Sequence, residues 1–317
     1  MTGNLVRICS TVAILTVLSS CSPDPESQLP LAPTDSPNTA QAHIQKPGAP
    51  ELDKIGNTTF YGIYEHPITL IDGHWEGEPY AAGGASRPTV GLISNFYLTG
   101  DLDGDGSEEA VAMLWQSSGG SGVFSYLAVF AWRNGEIVNT GTASIGDRVQ
   151  VRSTQIDGKQ IIINVVQQGP DDAACCPSQK ATRYWSMTKD KLQEGPAQIE
   201  GQMAITDIAE KEWQLIQFDH NEPLPESVLV TLLIEGNRLA GQAPCNRYFA
   251  GVEAGDGVGA INIGQAGATR MVCPDPLMSL EQRYFKLLSG VTRYSFVTGQ
   301  LALSWQSADE QGTMFFK

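Results

Sequence analysis

Four of the five carboxylates in the segment Asp101-Leu102-Asp103-Gly104-Asp105-Gly106-Ser107-Glu108-Glu109 have the types and spacing that bind a cation. Acids stand at alternate positions, and the glycines between them allow the chain to turn sharply. Carboxylate oxygens are the ligands that hard cations such as Ca²⁺ prefer. Carboxylates this close repel one another unless a cation neutralises them. The segment therefore predicts either a Ca²⁺ site or a solvated acidic turn whose glycines serve only its geometry.

The residues around this segment indicate which kind of calcium loop it could be. An EF-hand loop needs a glutamate at its twelfth position, where this chain has Ala112. Residues 96–98 and 110–115 on either side have strand character. The segment resembles the shorter calcium loop in β-hairpins of FG-GAP-like repeats, in which the ninth position supplies the last acid. That resemblance implies an ion that stabilises the hairpin, held by Asp101, Asp103, Asp105, the carbonyl of Ser107, and Glu109.

The N-terminus has the layout of an export signal. Arg7 precedes the apolar run 8–18, which is too short to span a bilayer, and small residues then lead to Cys21. Leu18-Ser19-Ser20-Cys21 resembles the lipobox of bacterial lipoproteins. The resemblance implies cleavage before Cys21 and covalent lipid on its sulfur, and two acyl chains anchor a protein stably. An ordinary secretory signal with a chance cysteine is the alternative.

The charge of the chain excludes some classes of partner. The formal net charge is −15, with 20 basic and 35 acidic residues. A nucleic-acid-binding protein needs a basic surface, and contact with anionic lipid headgroups needs one too. We therefore expect no nucleic-acid partner and a membrane contact made through the lipid anchor alone. The expected location is the bacterial cell envelope, facing the periplasm or the cell surface.

Four cysteines remain besides Cys9 and the lipidated Cys21, and export predicts that they form disulfides. Three pairings of Cys175, Cys176, Cys245 and Cys273 are possible. A bridge between Cys245 and Cys273 would close a loop of about 29 residues and stabilise the fold by ~3–4 kcal/mol. Cys175 and Cys176 would then form a vicinal ring or remain thiols.

The composition along the chain predicts two β-rich units behind a leader. Residues 1–20 form the signal peptide, and residues 21–55 form a proline-rich linker that cannot bury a core. Residues 56–205 contain short segments rich in β-branched and aromatic residues, with hairpin turns expected at 133–136 and 156–159. The strands expected here are 58–63, 90–98, 109–116, 123–132, 149–156, 160–168 and 181–187.

Residues 208–317 predict a second unit with one helix. Apolar residues at three- and four-residue steps indicate a helix over 277–289, capped by Asp275 or Ser279 and ended by Gly290. Residues 235–238 are expected to turn the chain. The expected strands are 228–235, 292–297, 301–305 and 313–316.

Two motifs in this unit resemble the META domain, the HslJ-like family. One is Cys245-Asn246-Arg247-Tyr248, and the other is Thr269-Arg270-Met271-Val272-Cys273 before a helix that carries Glu281. Pro244 stands where the family often has glycine. The resemblance implies a curled antiparallel sheet or partial barrel with one packed helix. It also implies structural roles for the motif: Asn246 bonding its own turn, Arg247 or Arg270 pairing with an acid, and Tyr248 and Tyr284 packing.

These observations favour a mainly β, lipid-anchored protein with a non-catalytic role, in binding or in structural and stress-related work of the envelope. No catalytic residues are predicted. A second hypothesis is a carrier or sensor of an apolar ligand, stabilised by calcium in its first unit. An envelope hydrolase is a third. The partner would be an envelope protein or an apolar ligand that the sequence does not name.

Overall fold

A computed structural model describes residues 48–189 and 191–317. The signal, Cys21 and most of the predicted linker lie outside the described residues. The described chain is mainly β, as predicted, with α1 (Leu52–Ile55), α2 (Leu277–Ser289) and a 3₁₀ helix (Ile205–Ile208). Neither α-helix in the described part combines the length and apolarity that crossing a bilayer requires.

The first sheet is an antiparallel meander in the order β3-β4-β5-β6-β7. A short ribbon of β1 and β2 precedes it in the chain. The strands are β1 (Thr59–Phe60), β2 (Ile68–Thr69), β3 (His74–Glu76), β4 (Thr89–Gly100), β5 (Glu109–Ser117), β6 (Phe124–Arg133) and β7 (Glu136–Asp147).

Strand β5 lies at the centre of this sheet and is buried on both faces. Val111 and Met113 contribute to one apolar cluster, while Ala112 and Leu114 contribute to another. This division follows from the two-residue period of a strand, which sends alternate side chains to opposite faces. The second cluster also includes Ile55, Phe60, Ile68 and Leu70, so the N-terminal segment covers that face.

The second sheet pairs β11, β10, β9 and β8 in that order, and β12 also pairs with β10. Its strands are β8 (Gln150–Asp157), β9 (Gln160–Gln167), β10 (Gln179–Met187), β11 (Leu192–Glu194) and β12 (Gln198–Gln202). Ile161, Ile163 and Trp185 from this sheet join Val111 and Met113 of the first sheet in one core. The two sheets therefore pack face to face over shared apolar side chains.

The third sheet curls into a nearly closed barrel, with the order β18-β17-β16-β15-β13-β22-β21-β20. An isolated bridge between Ala260 and Arg293 lies where its ends approach. Additional short strands β14 and β19 pair with β13 and β17. The strands are β13 (Trp213–Asp219), β14 (Glu222–Pro223), β15 (Thr231–Glu235), β16 (Arg238–Gln242), β17 (Arg247–Ala254), β18 (Ile261–Ile263), β19 (Gly267–Ala268), β20 (Val291–Val297), β21 (Gln300–Gln306) and β22 (Gln311–Phe316).

Helix α2 packs its apolar side against the barrel core through Tyr284, Leu287 and Leu288. Its bounds and its end at Gly290 agree with the prediction. The predicted cap was wrong, because Pro276 precedes the helix and no side chain of the described part caps it. Asp275 instead accepts a hydrogen bond from the Ser279 hydroxyl at 2.8 Å.

Candidate cation site and the C-terminal motif

The acidic segment forms the connection between β4 and β5. Gly104 and Gly106 have φ values of +87° and +82°, which side-chain-bearing residues rarely adopt. Asp101 accepts the N–H of Gly104 on Oδ1 at 2.6 Å and that of Gly106 on Oδ2 at 3.1 Å. The loop is thus folded around its own first carboxylate.

The next two aspartates repeat this arrangement over shorter spans. Asp103 Oδ1 accepts the N–H of Asp105 at 2.9 Å, and Asp105 Oδ1 accepts the N–H of Ser107 at 2.7 Å. Such bonds to a backbone N–H two residues ahead are typical of aspartate in turns. Both carboxylates are therefore oriented by the loop itself.

Glu109 is the buried member of the group. It is 1% exposed, and its Oε2 accepts the N–H groups of Leu102 at 2.8 Å and Asp103 at 3.3 Å. Its Oε1 is also buried and has no hydrogen-bond partner among the described residues. Burial raises the pKa of Glu109, the Leu102 N–H opposes that rise, and the negative charges of Asp103 and Asp105 add to it. A buried carboxylate oxygen without a partner is costly in free energy.

Three of the predicted ligands come together. One oxygen from each of Asp101, Asp103 and Glu109 lies within 4.8 Å of the others. A Ca²⁺ ion with oxygen ligands at 2.3–2.6 Å spans such a separation, so the donor set fits a hard cation. Asp105 is outside this group and faces Arg133, whose Nη1 lies 3.8 Å from Asp105 Oδ2. The fifth predicted ligand, the Ser107 carbonyl, belongs to the same loop.

Two basic side chains reach the loop from other turns. Arg133, at the β6–β7 turn, donates from Nη2 to Asp103 Oδ2 at 2.9 Å. Lys159, at the β8–β9 turn, donates from Nζ to the Asp103 carbonyl at 3.1 Å. Lys159 lies so close to Gly104 that a Cβ there would be 1.6 Å from Nζ. The loop thus contacts turns of both the first and the second sheet.

The C-terminal motif surrounds a second buried carboxylate, that of Glu281 on α2. Glu281 is 5% exposed, and its Oε2 accepts the N–H groups of Cys245 at 3.0 Å and Asn246 at 2.7 Å. Its Oε1 accepts from Asn246 Nδ2 at 2.8 Å. The disulfide between Cys245 and Cys273 closes the same region. The carboxylate therefore fastens the helix to the segment between β16 and β17.

The other side of Asn246 fixes the second motif segment. Asn246 Oδ1 accepts from the Thr269 hydroxyl at 2.7 Å and from the Met271 N–H at 2.8 Å. Asn246 thus bonds residues more than twenty positions away, and the expectation that it bonds its own turn was wrong. The helix, the Cys245 segment and the Thr269–Met271 segment form one hydrogen-bonded unit.

A family model of the META domain matches residues 206–317. This part of the chain is a META domain. No curated protein and no solved structure matches the chain. The matched range contains the barrel, α2 and both motif segments. The prediction of a META domain in the C-terminal part of the chain is therefore confirmed.

Two buried tyrosines, Tyr248 and Tyr284, pack and hydrogen-bond with each other inside the META domain. The hydroxyl of Tyr248 donates to the Thr231 carbonyl at 2.9 Å and lies 2.6 Å from the Tyr284 hydroxyl. Their rings meet edge to face with centroids 5.5 Å apart. Burial raises the pKa of both phenols, so both stay neutral at physiological pH. The expected packing of these two residues is confirmed.

The outer face of the META barrel carries an open groove. Its volume is 490 Å³, and Leu233, Ala240 and Phe249 line it. Phe249 is largely exposed and lies under the Arg238 guanidinium at 5.3 Å. The expected ion pairs of Arg247 and Arg270 were wrong, because neither forms one within residues 48–189 and 191–317. Arg247 instead lines this groove.

The remaining cysteines, Cys175 and Cys176, form a vicinal disulfide in the loop before β10. Asp172 orders this loop by accepting the N–H groups of Gly169 and Ser178, both at 2.7 Å. The Ser178 hydroxyl also donates to Asp172, and it is the main cause that lowers the pKa of this carboxyl.

Sequence reasoning did not assign a role to Glu281. A signal for it exists, since an acid stands among the apolar positions 277, 280, 284, 287 and 288 that define the buried side of α2. A buried acid needs hydrogen-bond donors, and the Cys245-Asn246 segment supplies them.

Proposed function

We propose that this protein is a non-catalytic binding protein of the bacterial cell envelope, tethered by lipid on Cys21 and stabilised by Ca²⁺ in its acidic loop. The observation that carries the calcium part is Glu109, a buried carboxylate beside Asp101 and Asp103 with one oxygen that has no hydrogen-bond partner among the described residues. A divalent cation would satisfy that oxygen and offset the repulsion among the three acids.

The contacts of the META motif support a structural rather than a catalytic role for Glu281 and Asn246. The polar atoms of Glu281 and Asn246 are engaged in hydrogen bonds to backbone and side-chain groups. A catalytic acid or base needs a proton path to a substrate, whereas these two groups are buried against each other.

The barrel interior favours a scaffold over an apolar carrier. Trp213, Tyr248, Tyr284 and Phe316 are all buried within one packed cluster there. A carrier needs an apolar cavity of ~300 Å³ or more for its ligand. The exposed groove with Phe249 is the better candidate for contact with a partner protein, because aromatic and arginine side chains dominate protein interfaces.

Calcium titration of the purified mature protein tests the metal part. We expect binding of one Ca²⁺ and, at 100 times the dissociation constant, about 2.7 kcal/mol of added stability. Glu109→Gln should abolish or strongly weaken binding, because it removes a negative ligand. Glu253→Gln, on the exposed side of β17, is the matched control and should bind as the unmodified protein does. An unfolding midpoint that is identical in calcium and in chelator would contradict this proposal.

Intact-mass analysis of protein extracted from membranes tests the anchor. We expect a chain that begins at Cys21 and carries the added mass of acyl chains. Cys21→Ser should release the protein from the membrane fraction. A membrane-extracted chain that starts elsewhere and carries no lipid would contradict the anchor while leaving the calcium proposal untouched.

A further inference from the structure

The acidic loop already has two positively charged neighbours in the structure. Arg133 and Lys159 come from turns of different sheets, about 30 and 56 positions along the chain from Asp103. Their approach to the same aspartate is a product of the fold rather than of sequence proximity.

Arg133 contacts two of the aspartates that the sequence predicts as cation ligands, Asp103 and Asp105. Asp103 and Asp105 use Oδ1 for backbone N–H groups and present Oδ2 toward Arg133. The guanidinium lies 2.9 Å from Asp103 Oδ2 and 3.8 Å from Asp105 Oδ2. A cation bound through Asp103 Oδ2 must share or displace this contact.

Glu109 shows that the two basic side chains do not complete the site. Its Oε1 has no hydrogen-bond partner in the described part of the chain, although Arg133 and Lys159 are both nearby on the loop. The guanidinium reaches the exposed rim of the acidic cluster, and the buried end keeps an unsatisfied acceptor. A small cation can reach Glu109 Oε1 because, unlike a guanidinium, it is not attached to a long side chain that must fit into the loop with it.

We infer that Arg133 sets the cation affinity of this loop by competing with Ca²⁺ for Asp103, with Lys159 adding a weaker opposing charge. The loop then has two arrangements, which differ in the positive charge that lies against Asp103. In one, Arg133 and Lys159 hold it against the neighbouring turns. In the other, a divalent cation joins Asp103 to Glu109 and the Arg133 contact is lost. This inference rests on the proposed calcium site and adds what controls its affinity.

Calcium titration of Arg133→Gln against the unmodified mature protein tests the inference. We expect about five- to tenfold tighter binding, because the substitution removes a positive charge beside a divalent ion near the surface. Arg87→Gln is the matched control. Its side chain is 37% exposed, as is that of Arg133, and it also pairs with a carboxylate, that of Glu76. Its calcium affinity should equal that of the unmodified protein.

Two further measurements test the role of Lys159 in the competition with Ca²⁺. Lys159→Met should also tighten binding, but less than Arg133→Gln, because Lys159 contacts a carbonyl rather than a carboxylate. Acetic anhydride should label Lys159 faster in saturating Ca²⁺ than in chelator, as the ion repels the ammonium from the loop. Lys191 serves as an internal reference for the labelling rate.

The outcomes distinguish failure of this inference from failure of the calcium proposal on which it rests. Unmodified protein that binds Ca²⁺, together with unchanged or weaker binding by Arg133→Gln, would overturn the inference alone. Binding by Arg133→Gln but not by the unmodified protein would support it strongly. Failure of both proteins to bind Ca²⁺ would overturn the calcium proposal and this inference together.

Discussion

Replacing Glu281 by glutamine should strongly destabilise the META domain although it changes only one atom and one charge. Glu281 accepts three hydrogen bonds, from the N–H groups of Cys245 and Asn246 and from Asn246 Nδ2. Glutamine keeps one carbonyl oxygen, which can still accept the two backbone N–H groups. Its NH₂ group then faces Asn246 Nδ2, so two donors meet.

Asn246 cannot relieve this conflict by turning its amide. Its Oδ1 already accepts from the Thr269 hydroxyl and the Met271 N–H. A hydrogen bond to a charged group contributes ~1.5–3 kcal/mol, and one between neutral groups contributes ~0.5–1.5 kcal/mol. Weakening two such bonds and losing the third predicts that the free energy of unfolding falls by about 3.5–6 kcal/mol.

Urea unfolding of the oxidised protein at 25 °C measures this change, with the disulfide intact in every variant. Glu222→Gln is the matched control, because Glu222 also pairs with α2, through Arg283, but its side chain is 50% exposed. An exposed ion pair contributes ~0–1 kcal/mol. The reasoning is refuted if Glu281→Gln costs less than ~1 kcal/mol, or no more than the control.

Three further predictions concern other parts of the fold. Tyr248→Phe should cost ~1 kcal/mol more than Tyr284→Phe in urea unfolding, because only Tyr248 also bonds the Thr231 carbonyl; equal costs would contradict this. Replacing Cys245 and Cys273 together by serine should cost ~3–4 kcal/mol by loop-closure entropy, and an unchanged midpoint would contradict it. Asp172→Asn should lower the melting temperature more at pH 7 than near pH 2. The pKa of Asp172 is lower in the folded protein than in the unfolded chain, where it is ~3.9, so the ionised carboxylate stabilises the fold at pH values above ~3.9. That stabilisation is lost as the pH falls through the pKa of the folded state. A melting-temperature difference that is the same at both pH values would contradict the assignment.

Elements whose signals are local could be predicted well. The helix over residues 277–289 has its predicted bounds because its apolar spacing and Gly290 lie within the helix itself or directly after it. The turn at Asn134-Gly135 forms as expected, with both residues at positive φ. The turn near Asp157 differs by one position, since Asp157 pairs with Gln160 and the turn residues are Gly158 and Lys159.

Strand β7 shows why other elements could not be predicted. Residues 136–147 are rich in Thr, Ser and Gly and lack clear alternation, and most of them are half-buried. They form a strand because β6 offers ten pairing partners beside them, with two irregularities in the register. Pairing with a strong neighbour can override a weak local preference.

The candidate cation site could likewise be predicted only in part. The order of Asp101, Asp103 and Glu109 indicated a hard-cation loop because ligands and turn residues lie within nine consecutive positions. The contact of Arg133 with Asp103 depends on where the β6–β7 turn lies relative to the β4–β5 loop. That placement follows from strand register across the sheet, which no local pattern encodes.

By itself, the sequence determined the β character of the chain, the helix over residues 277–289, the acidic loop and the family of the C-terminal domain. Each of these rests on spacing over a few residues or on a compact motif. Only the tertiary structure decided that Glu281 binds the Cys245-Asn246 segment and that Arg133 and Lys159 reach the acidic loop. The physical reason is that a hydrogen-bond or ion-pair partner is selected by distance in space, and packing of sheets and helix brings together residues 30 or more positions apart.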